Sequence, residues 1–119
     1  MNHQELGVFG ESLAVTYLKN KGFKIIAQNV KYMKWEVDII ANFEGKIIVV
    51  EVKTRVTSEI GEPWRAVTRT KQKQIIRVAH DYLTRNDCKE ETRFDVVSIV
   101  HNSFRTDIEH IEDAFYPIS

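Results

Sequence analysis

Residues 36–55 read EVDIIANFEGKIIVVEVKTR, and no other stretch constrains the fold as strongly. Two β-branched runs, Glu36 to Asn42 and Lys46 to Arg55, flank the turn signal NFEG, so the spacing predicts a β-hairpin. Yet Glu36, Asp38, Glu51 and Lys53 occupy interior strand positions, where Val or Ile would stabilise a sheet better. Side chains alternate across a strand, so Glu36 and Asp38 share one face of the first strand, and Glu51 and Lys53 share one face of the second. A hairpin turning at Glu44 and Gly45 opposes residues whose numbers sum to 89. That register sets Asp38 across from Glu51 and Glu36 across from Lys53, with Cβ atoms about 4.5–5.5 Å apart. A three- or five-residue turn would shift the pairing.

The rest of the chain supplies a frame for this hairpin. Leu6, Phe9, Leu13, Tyr17 and Leu18 recur at helical spacing, with Lys19, Lys21 and Gly22 as the stop signal. Ile25, Ile26 and Val30 mark a strand over Phe23 to Lys31. Arg55 to Trp64, with Gly61 and Pro63, reads as a polar surface loop. Ile75, Ile76, Ala79, Tyr82 and Leu83 fall on one face of a second helix. RFDVVSIV follows as a strand apolar enough to be covered on both faces. The tail IEHIEDAF suits a short strand, a short helix or both in succession. The predicted fold class is α/β, a mixed β-sheet flanked by helices in the order α-β-β-β-α-β, with residues 1–119 as one domain.

Composition narrows the function classes. Hydrophobic residues make up 43% and charged residues 29%, the balance of a soluble globular protein. No apolar run is long enough to cross a bilayer and Met1 to Asn20 has no signal-peptide core, so a cytoplasmic protein without membrane contacts is expected. The single cysteine, Cys88, excludes an intramolecular disulfide and a cysteine-based zinc site. His3, His80, His101 and His110 show no metal-ligand spacing. Formal net charge is zero, but Lys53, Arg55, Arg65, Arg69, Lys71, Lys73 and Arg77 cluster in the middle of the chain, opposed there by Glu59 and Glu62. Arg55, Arg69, Lys71 and Lys73 are candidate phosphate contacts; exposed helix charge accounts for Lys73 and Arg77 equally well. Arg93 and Asp95 read as a structural ion pair.

Two carboxylates opposed in a half-buried sheet repel each other and lose hydration, so something must offset them. A divalent ion does so: Mg²⁺ takes oxygen ligands, commonly one or two carboxylates plus waters and phosphate oxygens. Asp38 and Glu51 are the candidate metal ligands, joined by the backbone carbonyl of Val52, and Lys53 stands where it can hold a phosphate or help to activate a water. The competing reading makes Glu36 with Lys53, and Glu51 with Arg55, ordinary ion pairs at a sheet edge.

GVFGESLAVTYLKNKGFKI, EVDII, IIVVEVKTR, RFDVVSI and HIEDAF together resemble the YraN family of small bacterial proteins, predicted endonucleases of the restriction-endonuclease-like fold. That family is similar to the archaeal Holliday junction resolvases, whose site combines a helix acid, a strand Asp and a Glu-x-Lys. The resemblance implies Glu11 as the helix acid, Asp38 as the Asp, and Glu51 with Lys53 as the Glu-x-Lys, with Glu36 completing the outer shell. It further implies Mg²⁺ (Mn²⁺ as a substitute), DNA as partner, and a homodimer by analogy. Family members usually carry Gly before the position of Glu36; here it is Trp35, a packed aromatic or a platform for an unstacked base. The expected function is metal-dependent hydrolysis of DNA phosphodiesters, on branched or structured DNA. The alternative is a nucleic-acid-binding module of the same fold that does not cut.

Overall fold

A computed structural model describes residues 1–57 and 67–117. The expected loop around Gly61 and Pro63, together with Arg65, falls outside these residues. Helix α1 spans His3–Asn20. Its first turn is closed by a capping box: Asn2 Oδ1 accepts from the Glu5 N–H at 2.8 Å, and Glu5 Oε1 accepts from the Asn2 N–H at 3.1 Å. The residues it buries are Leu6, Gly10, Ala14 and Leu18, so the centre of its stripe is small rather than the Phe9, Leu13 and Tyr17 of the apolar pattern, which flank it. Small residues bring the helix backbone down onto the sheet.

Strands β1 (Lys24–Tyr32), β2 (Trp35–Phe43) and β3 (Lys46–Arg55) form an antiparallel meander. Between β2 and β3, Glu44 (φ 51°) and Gly45 (φ 78°) are both left-handed, the geometry of the two-residue turn that follows strand twist most closely. The pairs Ile39–Val50, Ile40–Val49 and Ala41–Ile48 therefore all sum to 89, the register expected from the sequence. Helix α2 (Arg69–Arg85), capped by Thr68 Oγ1 accepting from the Lys71 N–H, carries the chain over to β4 (Thr92–His101), which runs parallel to β3.

The undecided tail is a strand, β5 (Thr106–Phe115), antiparallel to β4, which extends the expected order to α-β-β-β-α-β-β. The physical reason lies in β4, buried from Phe94 to Val100, whose free edge would otherwise leave a row of backbone groups unpaired. Asp95, fully buried, anchors this pairing. It receives Arg93 through two hydrogen bonds of 2.9 Å, the Asp113 N–H at 3.0 Å and His110 Nε2 at 2.7 Å. Lys21 Nζ donates to His110 Nδ1 at 3.0 Å, which fixes the proton on Nε2 toward Asp95. The Arg93–Asp95 pair is thus structural, as expected, and His110, given no role from sequence, is its third member.

The sheet order is β1-β2-β3-β4-β5, consistent with a restriction-endonuclease-like fold. Ala14 and Leu18 of α1 pack on one face with Ile48, Val50, Val97 and Ile99; Ile75, Val78 and Ala79 of α2 pack on the other with Ile47, Val49, Phe94 and Val96. Among the described residues no helix is long and apolar enough to cross a membrane.

Candidate active site

The β2–β3 ladder ends at Ile39 and Val50, and the next positions in register are Asp38 and Glu51. Beyond that point the strands part, and a side chain replaces a backbone rung: the Val52 N–H donates to Asp38 Oδ2 at 2.7 Å. An extended residue presents its N–H and C=O on the same edge, so the Val52 carbonyl faces the same side.

The two acids are close enough to share a proton. Burial, followed by the neighbouring Asp38 charge, pushes the Glu51 carboxyl up to about 8, so at neutral pH the pair holds a proton. Burial also raises Asp38, against the opposing effect of the Val52 N–H and the Glu51 proton. Glu51 is only 4% exposed, and its Oε1 is buried with no hydrogen-bond partner. Two ammonium groups approach its other oxygen, Oε2: Lys53 Nζ at 3.9 Å, and Lys71 Nζ at 3.6 Å from the first turn of α2. Side chains of both lysines remain about one-third exposed (35% and 33%), so each still reaches solvent.

Glu11 and Glu36 join this cluster through a residue the sequence did not single out. Asn29, on β1, donates one amide hydrogen to Glu11 Oε1 at 2.8 Å and the other to Glu36 Oε1 at 2.9 Å. It does so from a left-handed backbone (φ 51°), a conformation Asn tolerates better than most residues. Burial, then the Asp38 charge, raises the Glu11 carboxyl. Glu36 is thus held by Asn29, not set opposite Lys53 as the extended register suggested, because the ladder has opened before it reaches them. The sequence signal for Asn29 was its place as an Asn inside a strand pattern.

The remaining candidates divide. Arg55 lies half-buried on β3, two residues beyond Lys53 and on the same face by alternation. Arg69 and Lys73 stand exposed on α2. Trp35 begins β2 without a left-handed backbone, so the absence of Gly there costs nothing, and it packs against the core with Arg77 over its ring at 5.9 Å. The structure therefore gathers Glu11, Glu36, Asp38, Glu51, Lys53 and Lys71, and leaves Trp35 outside. Among the described residues, no three His, Cys, Asp or Glu side chains converge as a ready metal cage. Two acids, one with a stranded buried oxygen, and an adjacent carbonyl do suit an ion that draws its other ligands from water and substrate.

Comparison with known proteins gives the chain its relatives. A family model described as "Uncharacterised protein family UPF0102" matches residues 10–99. A UPF0102 protein of Christiangramia forsetii is 43% identical over 114 residues, covering 96% of each chain. One from Clostridioides difficile is 43% identical over 116 residues, covering 97% of this chain and all of its own. One from Flavobacterium psychrophilum is 40% identical over 114 residues, again with 96% of each chain covered. The matched segment contains Glu11, Glu36, Asp38, Glu51, Lys53 and Lys71, and the chain belongs to the UPF0102 (YraN) family.

Proposed function

We propose that the protein is a divalent-metal-dependent nuclease that hydrolyses DNA phosphodiesters, acting on branched or otherwise structured DNA. The observation that carries this reading is the placing of half-buried Asp38 beside buried Glu51 where the β2–β3 ladder opens. Opposed acids withdrawn from water cost stability, and a sheet built for packing alone gains nothing from them.

Mg²⁺, with Mn²⁺ as a substitute, fits the donor set: Asp38, Glu51 and the Val52 carbonyl would hold it. Such an ion, when bound, polarises the scissile phosphate and lowers the pKa of a bound water. The chain's own groups do the rest. Lys53 and Lys71, already drawn to Glu51 Oε2, offset negative charge developing on the phosphate, and Lys53 orients the attacking water. Glu11 and Glu36, fixed by Asn29, orient groups around the reacting centre.

The test is cleavage of labelled single-strand, duplex, flap and four-way-junction DNA with Mg²⁺, Mn²⁺ or chelator. Metal-dependent cutting that falls about 100-fold or more in Asp38→Asn and Lys53→Ala is expected. Wild-type protein that binds these DNAs without cutting any, with variants that bind equally well, would replace this reading with the non-catalytic binding module.

A further inference from the structure

Helix α2 carries five basic residues (Arg69, Lys71, Lys73, Arg77, Arg85) and one acid (Asp81), in a chain whose formal net charge is zero. Three of the cations fall in its first five residues, where the helix dipole favours acids, and none of those five is acidic. The seat of α2 on the sheet, through Ile75, Val78 and Ala79, calls for none of them, although Lys71 reaches Glu51 and Arg77 lies over the Trp35 ring. Arg69, Lys73 and Arg77 are exposed and recur every four residues, about 6 Å apart along the axis. An extended strand laid along the helix therefore meets a cation at each turn.

These three residues line one wall of a groove of about 440 Å³, closed on the other side by Tyr116 and Pro117 after β5. The groove continues past Arg77 toward His80 and Tyr32. Among the described residues the acid in this lining, Asp81, is paired with Arg85 at 2.8 Å, so Arg69, Lys73 and Arg77 set the sign of its charge. Tyr116 is 68% exposed, an aromatic ring left open beside the cations. Cations that track a backbone, beside an aromatic face on which a base can stack, are the recognition chemistry of single-stranded nucleic acid; the bases of a duplex are already stacked on one another.

We infer that this groove binds a single-stranded nucleic-acid segment, with phosphates on Arg69, Lys73 and Arg77 and an unstacked base on Tyr116. Arg69, in the lining of the groove, lies two residues along α2 from Lys71, whose ammonium reaches Glu51. This part rests on the proposed nuclease reading: the strand held on α2 is then the unpaired arm of the substrate being cut.

Fluorescence anisotropy on the full chain, in chelator so that no chemistry intervenes, tests it with a labelled DNA duplex bearing or lacking an oligothymidine tail. The tail is expected to tighten binding about tenfold. Tyr116→Ala is expected to remove about fivefold or more of that gain. Arg77→Glu is expected to remove most of it. Both substitutions are on the exposed surface, and blunt-duplex affinity should fall less than tailed affinity in each. A tail that adds nothing, variants that weaken both duplexes alike, or displacement of the tail by poly-glutamate as readily as by oligothymidine would overturn the inference. Tail-dependent binding without metal-dependent cutting would leave the groove standing and remove the nuclease reading; cutting without any tail preference would do the reverse.

Discussion

The Val52 N–H donates to Asp38 Oδ2 over 2.7 Å, so an acid side chain supplies the rung at which the β2–β3 ladder ends. Asp38 is thereby both a structural acceptor and a member of the acid pair, and two substitutions separate the roles. Asp38→Asn keeps an acceptor oxygen for Val52, whereas Asp38→Ala leaves that N–H unsatisfied. Asp38→Ala is expected to be about 1–2 kcal/mol less stable than Asp38→Asn in urea denaturation, with cleavage lost in both. Equal stabilities would mean that the Val52 bond contributes nothing.

Glu51 sets a pH dependence whose sign follows from its elevated carboxyl. The unfolded chain releases this proton near the ordinary value of 4.5, while the folded protein keeps it until about 8. Between these limits the folded state binds more protons, so in chelator the contribution of Glu51 to stability falls as pH rises. Glu51→Gln never ionises, and its stability is expected to decline less over this window. Melting temperatures at pH 5, 6.5 and 8 check this, and parallel profiles for the two proteins would refute it.

Asn29 performs a backbone task and a side-chain task at one site. Asn29→Gly accepts φ 51° freely but cannot bridge Glu11 and Glu36; Asn29→Ala loses the bridge and also strains the backbone. Cleavage is expected to fall about 10- to 100-fold in both. Asn29→Ala alone should lose a further ~1 kcal/mol or more of stability relative to Asn29→Gly.

Gly10 of α1 lies against Thr54 of β3, and a Cβ added there would overlap the Thr54 side chain. Gly10→Ala must lift the helix, and the adjacent Glu11 moves with it. A loss of about 1–3 kcal/mol is expected from thermal unfolding, with part of it recovered when Thr54→Ala is combined with it. No recovery in the double variant would place the strain elsewhere.

Why some of this was legible in sequence and some was not is clearest residue by residue. Asp38 and Glu51 could be paired because a local rule, turn length plus alternation, governs both. Lys71 was visible as a cation but not as a neighbour of Glu51, since that meeting depends on how a crossover helix settles on the sheet. Asn29 depends on a left-handed residue inside a strand, which periodicity does not encode. His110 meets Asp95 only once the tail becomes β5, and the tail's pattern fitted helix and strand alike. Gly10 was hidden because apolar periodicity counts large side chains, and closeness of helix to sheet depends on missing ones.

The left-handed pair Glu44 and Gly45 has a consequence for how this chain can vary. The turn is exposed and stands at the far end of the hairpin from the acids, where substitution by other residues that accept positive φ, such as Asn, is tolerated. One inserted residue is a different matter. It would slide β2 against β3 and turn Asp38 toward the helix on the opposite face while Glu51 stayed behind. Hairpin length is therefore as much a component of the candidate site as its carboxylates, even though no atom of the turn lies near them.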